Sequence, residues 1–227
     1  LLLILSWYMS RRRFLPWFAF AVFSLLVLML QQDLGTALIY YATTLFLFYA
    51  STGNLPLTGL GLVGAGGAAV LGYAMFAHVK KRVAIWRNPW IYYETSGYQI
   101  VQMLMAIASG GLFGVGLGLG APRVIPVYFT DCIFAVICEE FGSIFGLCVV
   151  ALYVLFLLRG LSTAFQCTDR FSALVALGCT VTIALQAFII LGGIIKLIPL
   201  TGVTMPFVSY GGSSMLSGLI AVGVIQG

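Results

Sequence analysis

The chain has 227 residues, of which 62% are hydrophobic and only 7% are charged. A soluble domain carries roughly 25% charged residues, so this composition excludes an ordinary soluble protein and indicates an integral membrane protein. The net charge of +5 comes from short basic clusters between apolar runs, as in loops that flank spans or contact anionic lipid, and does not indicate nucleic-acid binding.

Apolar runs that could cross a membrane follow one another along the chain. The opening LLLILSWYMS lacks an initiator Met and a basic leader, which predicts the tail of a span that began earlier in a longer protein. Complete runs near the ~17–25 residues of a spanning helix are predicted at 14–31, 34–50, 57–77, 132–158 and 171–199, with a shorter run from 215. The sequence therefore predicts one integral membrane domain over 1–227, an incomplete all-α polytopic helical bundle. Polar turns are expected at STGNLP and LSTAFQCTDR.

One connection is long, at residues 78–130, and it is too apolar and aromatic to be disordered. Within it, six glycines between Gly110 and Gly120 make a poor helix. We therefore expect residues 98–120 to form a helix that lies at or dips into the membrane interface without crossing it.

Counting the predicted spans assigns the polar segments to sides. Asp33, Asp131 and the loop 200–214 fall on one side of the membrane and Arg11–Arg13 on the other. Short basic loops favour the Arg11–Arg13 side as cytoplasmic. Five further basic residues then lie on the opposite side, which calls for another explanation: Lys80, Lys81, Arg82, Arg87 and Arg123.

The stretch YFTDCIFAVICEEFG holds three of the six acidic residues, and charged groups at membrane depth are usually functional. If a helix begins at Asp131, Glu139 lies ~12 Å further along its axis, beyond the ~5–9.5 Å of glycosidase carboxyl pairs. Asp131 is therefore expected to act alone. Spacing by itself favours a helix N-cap for Asp131 and also for Asp33. Glu139 and Glu140 are expected to bind a partner inside the bundle, such as a backbone donor or Lys196.

Three other patterns allow simpler interpretations. VKKRVAIWRNPW mixes aromatic and basic residues as an interfacial anchor does, although a phosphate clamp is the sharper alternative. SGGLFGVGLGLG has no strand before it, which excludes a nucleotide-binding loop. The five cysteines form no CxxC pair and are interpreted as packing residues.

The stretch KLIPLTGVTMPFVSYGGSS contains too many prolines and glycines for a regular helix. A break between two spans is therefore predicted, and irregular backbone at membrane depth is tolerated where it lines a cavity or is buried in protein. Hydroxyls there would come from Ser209, Tyr210, Ser213 and Ser214.

Together these stretches resemble the SEDS family (RodA, FtsW and SpoVE), membrane glycosyltransferases of bacterial cell-wall synthesis. The matching stretches are QQDLGTAL, GYQIVQ, AIASGGLFGVGLG, TDCIFAVICEEFG and IPLTGVTMPFVSYGGSS, which are spread over nearly the whole chain. The family has ten spans, and this chain corresponds to the end of the fourth through part of the tenth.

The resemblance implies a fold and a reaction. The fold would be the SEDS bundle, incomplete here, with a large extracytoplasmic loop at about 78–131 and a broken re-entrant segment, in the bacterial cytoplasmic membrane. The reaction is polymerisation of lipid II at the outer face, for elongation, division or sporulation, with loss of undecaprenyl pyrophosphate. A class B penicillin-binding protein is the implied partner.

The resemblance also implies roles for residues. Asp131 matches the family's essential aspartate and would be the catalytic base. Ten residues are predicted to bind substrate: Arg82, Arg87, Lys81, Arg123, Asp33, Gln99, Gln102, Ser209, Tyr210 and Ser213. Cations can stabilise a departing diphosphate without a second carboxylic acid, and Arg82 and Arg87 are the first candidates. A divalent cation, Mg²⁺ or Mn²⁺, could share that charge, although the sequence holds no dedicated metal site.

Three positions depart from the family pattern: Cys132 replaces a phenylalanine, Gln32 a proline and Lys196 a small residue. Two other functions stay open at this point. A lipid II flippase would depend on Glu139, Glu140 and Lys196 more than on Asp131. A non-catalytic scaffold for a penicillin-binding protein would not need Asp131 at all.

Overall fold

The computed structural model describes residues 2–11, 13–31 and 33–226, without the side chain of Leu71. Arg12 and Gln32, both named above, lie outside this description. The described part of the chain forms no β-strand and contains nine α-helices: α1 (Leu2–Ser10), α2 (Phe14–Leu30), α3 (Leu34–Thr52), α4 (Leu55–Met75), α5 (Ala77–Arg87), α6 (Tyr98–Gly110), α7 (Ile133–Gln166), α8 (Arg170–Ile194) and α9 (Gly212–Gln226). Two short 3₁₀ helices, Pro89–Tyr92 and Pro122–Val124, lie within the long connection.

Four of these helices, α3, α4, α7 and α8, are long and apolar enough to cross a membrane, and α2 and α9 are shorter apolar helices. This confirms the predicted all-α, polytopic fold. The helix predicted from residue 98 ends at Gly110, where the glycine-rich half begins. The predicted break also stands between α8 and α9, at residues 195–211.

One predicted boundary is wrong. The polar stretch 161–170 is mostly helical, because α7 continues to Gln166 with its hydroxyls bonded back onto the helix. Thr163 Oγ1, for example, donates to Arg159 O at 3.1 Å. At its other end α7 begins at Ile133, two residues after Asp131.

Polar side chains and glycine fix several helix ends in the way their sequence positions suggest. The Asp33 carboxylate accepts the Thr36 N–H at 3.0 Å and caps α3, as predicted. Gly53, with φ of 66°, ends α3 in a left-handed conformation that suits glycine. Asn54 Oδ1 then accepts the Leu57 N–H at 3.1 Å and begins α4.

The chain folds as two compact units, each built from segments that are distant in sequence. The first comprises Leu1–Ala69, Leu155–Leu185 and Leu216–Gly227; its largest apolar core includes Leu5, Met9, Trp17, Leu47 and Leu177. The second comprises Val70–Val154 and Gln186–Met215; its core includes Met103, Cys132, Ala135, Ile190 and Met205. The prediction of a single domain stays a prediction.

Within the second unit, the glycine loop (residues 110–120) packs backbone against backbone on α7. Val115 N donates to Glu139 O at 2.9 Å and Gly116 N to Glu140 O at 3.1 Å. On the far side of a break in α7, Ser143 N donates to Gly111 O at 2.9 Å. The break is Gly142, with φ of 87° and ψ of 167°, a combination that is essentially restricted to glycine.

We expect Gly142→Ala to destabilise the fold by more than about 2 kcal/mol, because the backbone strain alone costs of order 1–3 kcal/mol. A Cβ at this position would also lie 2.2 Å from Leu112 O. Thermal unfolding of the full-length protein in detergent measures this. Gly64→Ala is the matched control, because a Cβ there meets nothing within 4 Å; an equal loss of stability in both variants would contradict the account.

Candidate active site

A cleft of about 240 Å³ lies in the second unit. Helix α5 contributes Arg82 to its wall, α6 contributes Gln99, and the turn before α7 contributes Asp131. The irregular segment, residues 195–211 between α8 and α9, completes the cleft. The full lining is Arg82, Ile85, Ser96, Gln99, Ile100, Asp131, Leu200 and Gly202. Three residues predicted from sequence are thus brought together.

Asp131 differs from the other two aspartates of the chain in what its carboxylate does. Asp33 caps α3, and Asp169 accepts the Ser172 N–H at 3.0 Å and so caps α8. Asp131 lies two residues before α7, and among the described residues its carboxylate accepts no helix N–H. At that helix start it is the carbonyl of Cys132 that accepts a bond, from Ala135 N at 2.9 Å. The N-cap expected from spacing is therefore wrong for Asp131, and its carboxylate stays available to the cleft.

The surroundings of Asp131 act on its ionisation in opposite directions. Burial raises the pKa of its carboxyl group above the ordinary value, and this is the largest effect. The Thr130 hydroxyl and the Arg82 guanidinium both lower the pKa and offset part of that increase. A carboxylate with a raised pKa is a stronger base than an exposed one, while the neighbouring cation favours its charged form.

Two side chains of α5 hold the irregular segment against the cleft. Arg82 Nη1 donates to Leu200 O at 3.2 Å and to Thr201 O at 3.1 Å. Trp86 Nε1 donates to Lys196 O at 3.0 Å. These contacts hold the segment so that Gly202, with φ of 76°, lies beside Asp131. A Cβ at Gly202 would lie 3.6 Å from Asp131 Oδ2. A side chain at that position would occupy the space in front of the carboxylate.

Lys196 ends α8 in a conformation that glycine adopts more easily. Its φ is 62°, its N–H bonds Gly193 O at 3.2 Å, and the following Leu197 N–H bonds Gly192 O at 2.8 Å. This is the glycine-favouring termination of a helix. Glycine would therefore fit the backbone at this position better than lysine does.

The backbone just before Asp131 is held by the same irregular segment. The Ser209 hydroxyl donates to Thr130 O at 2.5 Å and accepts the Met205 N–H at 2.8 Å. Tyr210 N donates to Phe129 O at 2.8 Å. Three main-chain groups around the cleft are thereby fixed through two neighbouring residues.

The cysteine that follows Asp131 is a packing residue with two polar contacts, one with Gln99 and one from its thiol to Pro126 O at 3.8 Å. Cys132 is fully buried, and Gln99 Nε2 donates to its sulfur at 3.1 Å. Burial raises the pKa of this thiol to about 11, so it is neutral at ordinary pH. Gln99 therefore lies in the cleft with one amide proton committed to Cys132, and its substrate-binding role stays a prediction.

The other predicted binding residues do not line the cleft. Gln102 Nε2 donates to Tyr93 OH at 3.3 Å, and the Ser209 hydroxyl is buried in the contacts above. Asp33 belongs to the first unit. Five side chains are exposed: Lys81, Arg87, Arg123, Tyr210 and Ser213. Their roles toward a substrate stay predictions.

Sequence reasoning missed several residues that shape the cleft. Ser96, Ile85 and Ile100 have ordinary neighbours in the sequence, and nothing there distinguishes them from surrounding turn or core residues. Gly202 was recognised only as a helix breaker. Its positive φ and its approach to Asp131 depend on the Arg82 contacts, which join positions more than a hundred residues apart.

The cleft does not fit a metal ion held by protein ligands. It offers one carboxylate, Asp131, and the neighbouring Arg82 carries positive charge. In the part of the chain that the structure describes, no group of three or more His, Cys, Asp or Glu side chains could hold a metal ion.

We expect Ser209→Ala to lower the stability of the full-length protein by about 1–3 kcal/mol, since two hydrogen bonds are lost at roughly 0.5–1.5 kcal/mol each. Ser213→Ala, at an exposed position in the same segment, should change it by less than about 0.5 kcal/mol. Thermal unfolding of both variants checks this. If Ser209→Ala unfolds at the same temperature as the unaltered protein, the bond from Ser209 to Thr130 O does not stabilise the backbone before Asp131.

Comparison with known proteins places the chain in a family. A family model described as "Cell cycle protein", covering FtsW, RodA and SpoVE, matches residues 6–227. Among curated proteins, the peptidoglycan glycosyltransferase RodA of Mycobacterium leprae is 41% identical over 210 residues, which cover 92% of this chain and 45% of that protein. Stage V sporulation protein E of Bacillus subtilis is 38% identical, covering 95% and 59% of the two chains.

A probable peptidoglycan glycosyltransferase FtsW of Geobacter metallireducens is 32% identical, covering 93% of this chain and 57% of its own. The chain thus spans about half the length of the curated relatives it matches. A chain from a solved structure, titled "Structural coordination of polymerization and crosslinking by a peptidoglycan synthase complex", matches 99% of this chain and 66% of its own, with a TM-score of 0.75 and 26% identity. The chain is a multi-pass membrane protein and belongs to the FtsW/RodA/SpoVE family.

Proposed function

We propose that the full-length protein polymerises lipid II into glycan strands, with Asp131 as general base. One observation carries the proposal: Asp131 and Arg82 line one cleft, and Asp131 is the aspartate that caps no helix among those described. Family membership supports the reaction class, because two of the relatives above bear the name peptidoglycan glycosyltransferase.

In the proposed step, the Asp131 carboxylate takes the proton of a sugar hydroxyl on one lipid II molecule. The hydroxyl oxygen forms a bond to the anomeric carbon of the growing chain, and the bond from that carbon to the diphosphate breaks. Undecaprenyl pyrophosphate leaves as an anion, which needs a cation more than a proton donor. One carboxylate therefore suffices for the reaction.

Arg82 is the first candidate for the departing diphosphate. Its Nη1 is committed to the Leu200 and Thr201 carbonyls, but a guanidinium has five N–H donors and keeps its charge. The side chain is exposed, so the remaining donors can reach a ligand. Arg87, five residues further along α5, is turned by roughly 140° from Arg82 and would meet a more distant part of the diphosphate or of the membrane surface.

We further propose that this cleft faces the outside of the bacterial cytoplasmic membrane. The positive-inside rule and the count of spans from Arg11–Arg13 support that orientation. A class B penicillin-binding protein would be the partner, since the solved complex similar to this chain combines polymerisation with crosslinking, according to its title.

Asp131→Asn in the full-length protein should reduce lipid II polymerisation by at least about 100-fold, because general-base catalysis contributes typically 10²–10⁴-fold. The measurement is polymer formed by purified protein in vesicles without ATP or an ion gradient. Asp169→Asn is the control, since asparagine caps a helix as well as aspartate does, and it should keep its activity.

Near-normal polymerisation by folded Asp131→Asn would reject the assignment. Lipid II exchange across the bilayer without any polymer, in the unaltered protein, would instead favour the flippase alternative.

Arg82→Ala should move the acid limb of the pH–rate profile to higher pH. The base works only when ionised, so activity falls as pH decreases through the pKa of Asp131. Burial raises that pKa and Arg82 lowers it; removal of the guanidinium therefore raises it further. Arg87→Ala leaves the limb in place, although it would lower turnover if Arg87 binds diphosphate. An unmoved limb in Arg82→Ala would contradict the proposed electrostatic contact.

A further inference from the structure

The segment that leads to Asp131 has little structure of its own. We call residues 121–130 the strap. Apart from the 3₁₀ helix Pro122–Val124 it is built of turns, and most of its side chains are exposed. Ile125, 3% exposed, is its one buried side chain. The middle of the strap is held by Ile125 in the core of the second unit and by Pro126 O, which accepts the Cys132 thiol at 3.8 Å, and its two ends are held through the backbone.

The end next to Asp131 is the one already described. The Thr130 and Phe129 carbonyls accept bonds from Ser209 and Tyr210 of the irregular segment. These bonds fix the backbone at the end of the strap. They do not fix its first residue, Ala121.

The other end is fixed by a single side chain of α7. Glu139 Oε1 accepts the Ala121 N–H at 3.2 Å. Glu139 is 8% exposed, so water does not replace this bond readily. The prediction of a backbone donor for Glu139 is confirmed.

The main chain at the same place holds the glycine loop. The carbonyls of Glu139 and Glu140 accept the Val115 and Gly116 N–H groups. One turn of α7 therefore binds the loop before the strap with its backbone and the first residue of the strap with a side chain. Gly120, between them, passes so close that a Cβ would lie 3.1 Å from Glu139 Oε2.

The geometry points to Glu139 as a positioning residue that fixes the start of the strap by hydrogen-bonding Ala121 and so aims Asp131 into the cleft. The inference rests on the proposed function for its effect on catalysis, but not for the contact itself. The role requires an acceptor oxygen at the right reach and does not require negative charge. The second oxygen, Oε2, is buried and has no hydrogen-bond partner among the described residues.

Two substitutions of Glu139 distinguish the effect of its side-chain length from the effect of its charge. Glu139→Gln keeps the side-chain length and an acceptor oxygen but loses the charge. Glu139→Asp keeps the charge but retracts the carboxylate by roughly 1.5 Å, one C–C bond, out of reach of Ala121 N. Glu140→Gln and Glu140→Asp are matched controls, because no hydrogen bond joins the Glu140 side chain to the strap in the described structure.

The experiment uses the full-length protein in nanodiscs, with hydrogen exchange of peptides covering 121–131 and steady-state polymerisation of lipid II. In Glu139→Asp we expect faster exchange in the strap and kcat lower by about 10-fold or more, with KM changed less than about 2-fold, since misplacement near 1 Å can cost about 10²-fold. Glu139→Gln and both Glu140 variants should stay within about 3-fold of the unaltered protein. If Glu139→Asp does not fold, Gly120→Ala, whose Cβ would press on Glu139 Oε2 and on Glu140 Cγ at 3.1 Å each, is expected to give the same two changes while Glu140→Gln and Glu140→Asp do not.

The inference is overturned if Glu139→Gln is impaired as much as Glu139→Asp, because charge or a bound cation is then what matters. It is also overturned if Glu139→Asp exposes the strap to exchange without lowering kcat, or leaves both unchanged. Absence of polymer from the unaltered protein would instead contradict the proposed function. The hydrogen-exchange data would still test the contact between Glu139 and Ala121.

Discussion

Main-chain groups that leave helical structure beside a membrane span must find partners inside the protein, because hydrocarbon offers none. The second unit meets this constraint around α7. The glycine loop bonds its N–H groups to the carbonyls of Glu139 and Glu140, and Ser143 returns a bond to Gly111. Glycine is needed where the loop touches α7, since a Cβ at Gly114 would lie 2.2 Å from Glu140 O. The rest of the candidate site is built on this anchored backbone.

The main-chain N–H and C=O groups in this part of the protein bond to other main-chain groups and to a few side chains. The Asp131 carboxylate is therefore not needed to bond them. A short polar residue just before a helix normally caps it, as Asp33 and Asp169 do here. Asp131 instead lies in a cleft that it shares with the cation of Arg82. The same guanidinium bonds the Leu200 and Thr201 carbonyls, so one side chain shapes the cleft and tunes its acid.

Local patterns predicted the helices and the break between α8 and α9, since apolar length and runs of glycine or proline act over a few residues. They failed at the start of α7. Spacing could not tell a capping aspartate from a free one, because it did not show that α7 begins only at Ile133, so that Cys132 and not Asp131 directly precedes the helix. The resemblance supplied Asp131, and the basic cluster together with the implied reaction supplied Arg82. The resemblance could not show that Ser209 is buried in a backbone contact or that Arg87 lies outside the cleft.

Chemical rescue tests most directly whether Asp131 supplies the base. Asp131→Ala in the full-length protein should form almost no polymer, and formate or acetate added at millimolar concentration should restore part of the rate by occupying the vacated space beside Arg82. The account predicts rescue that increases with carboxylate concentration, and none in the unaltered protein. Failure of every small carboxylate to raise the rate of a folded variant that still binds lipid II would contradict it.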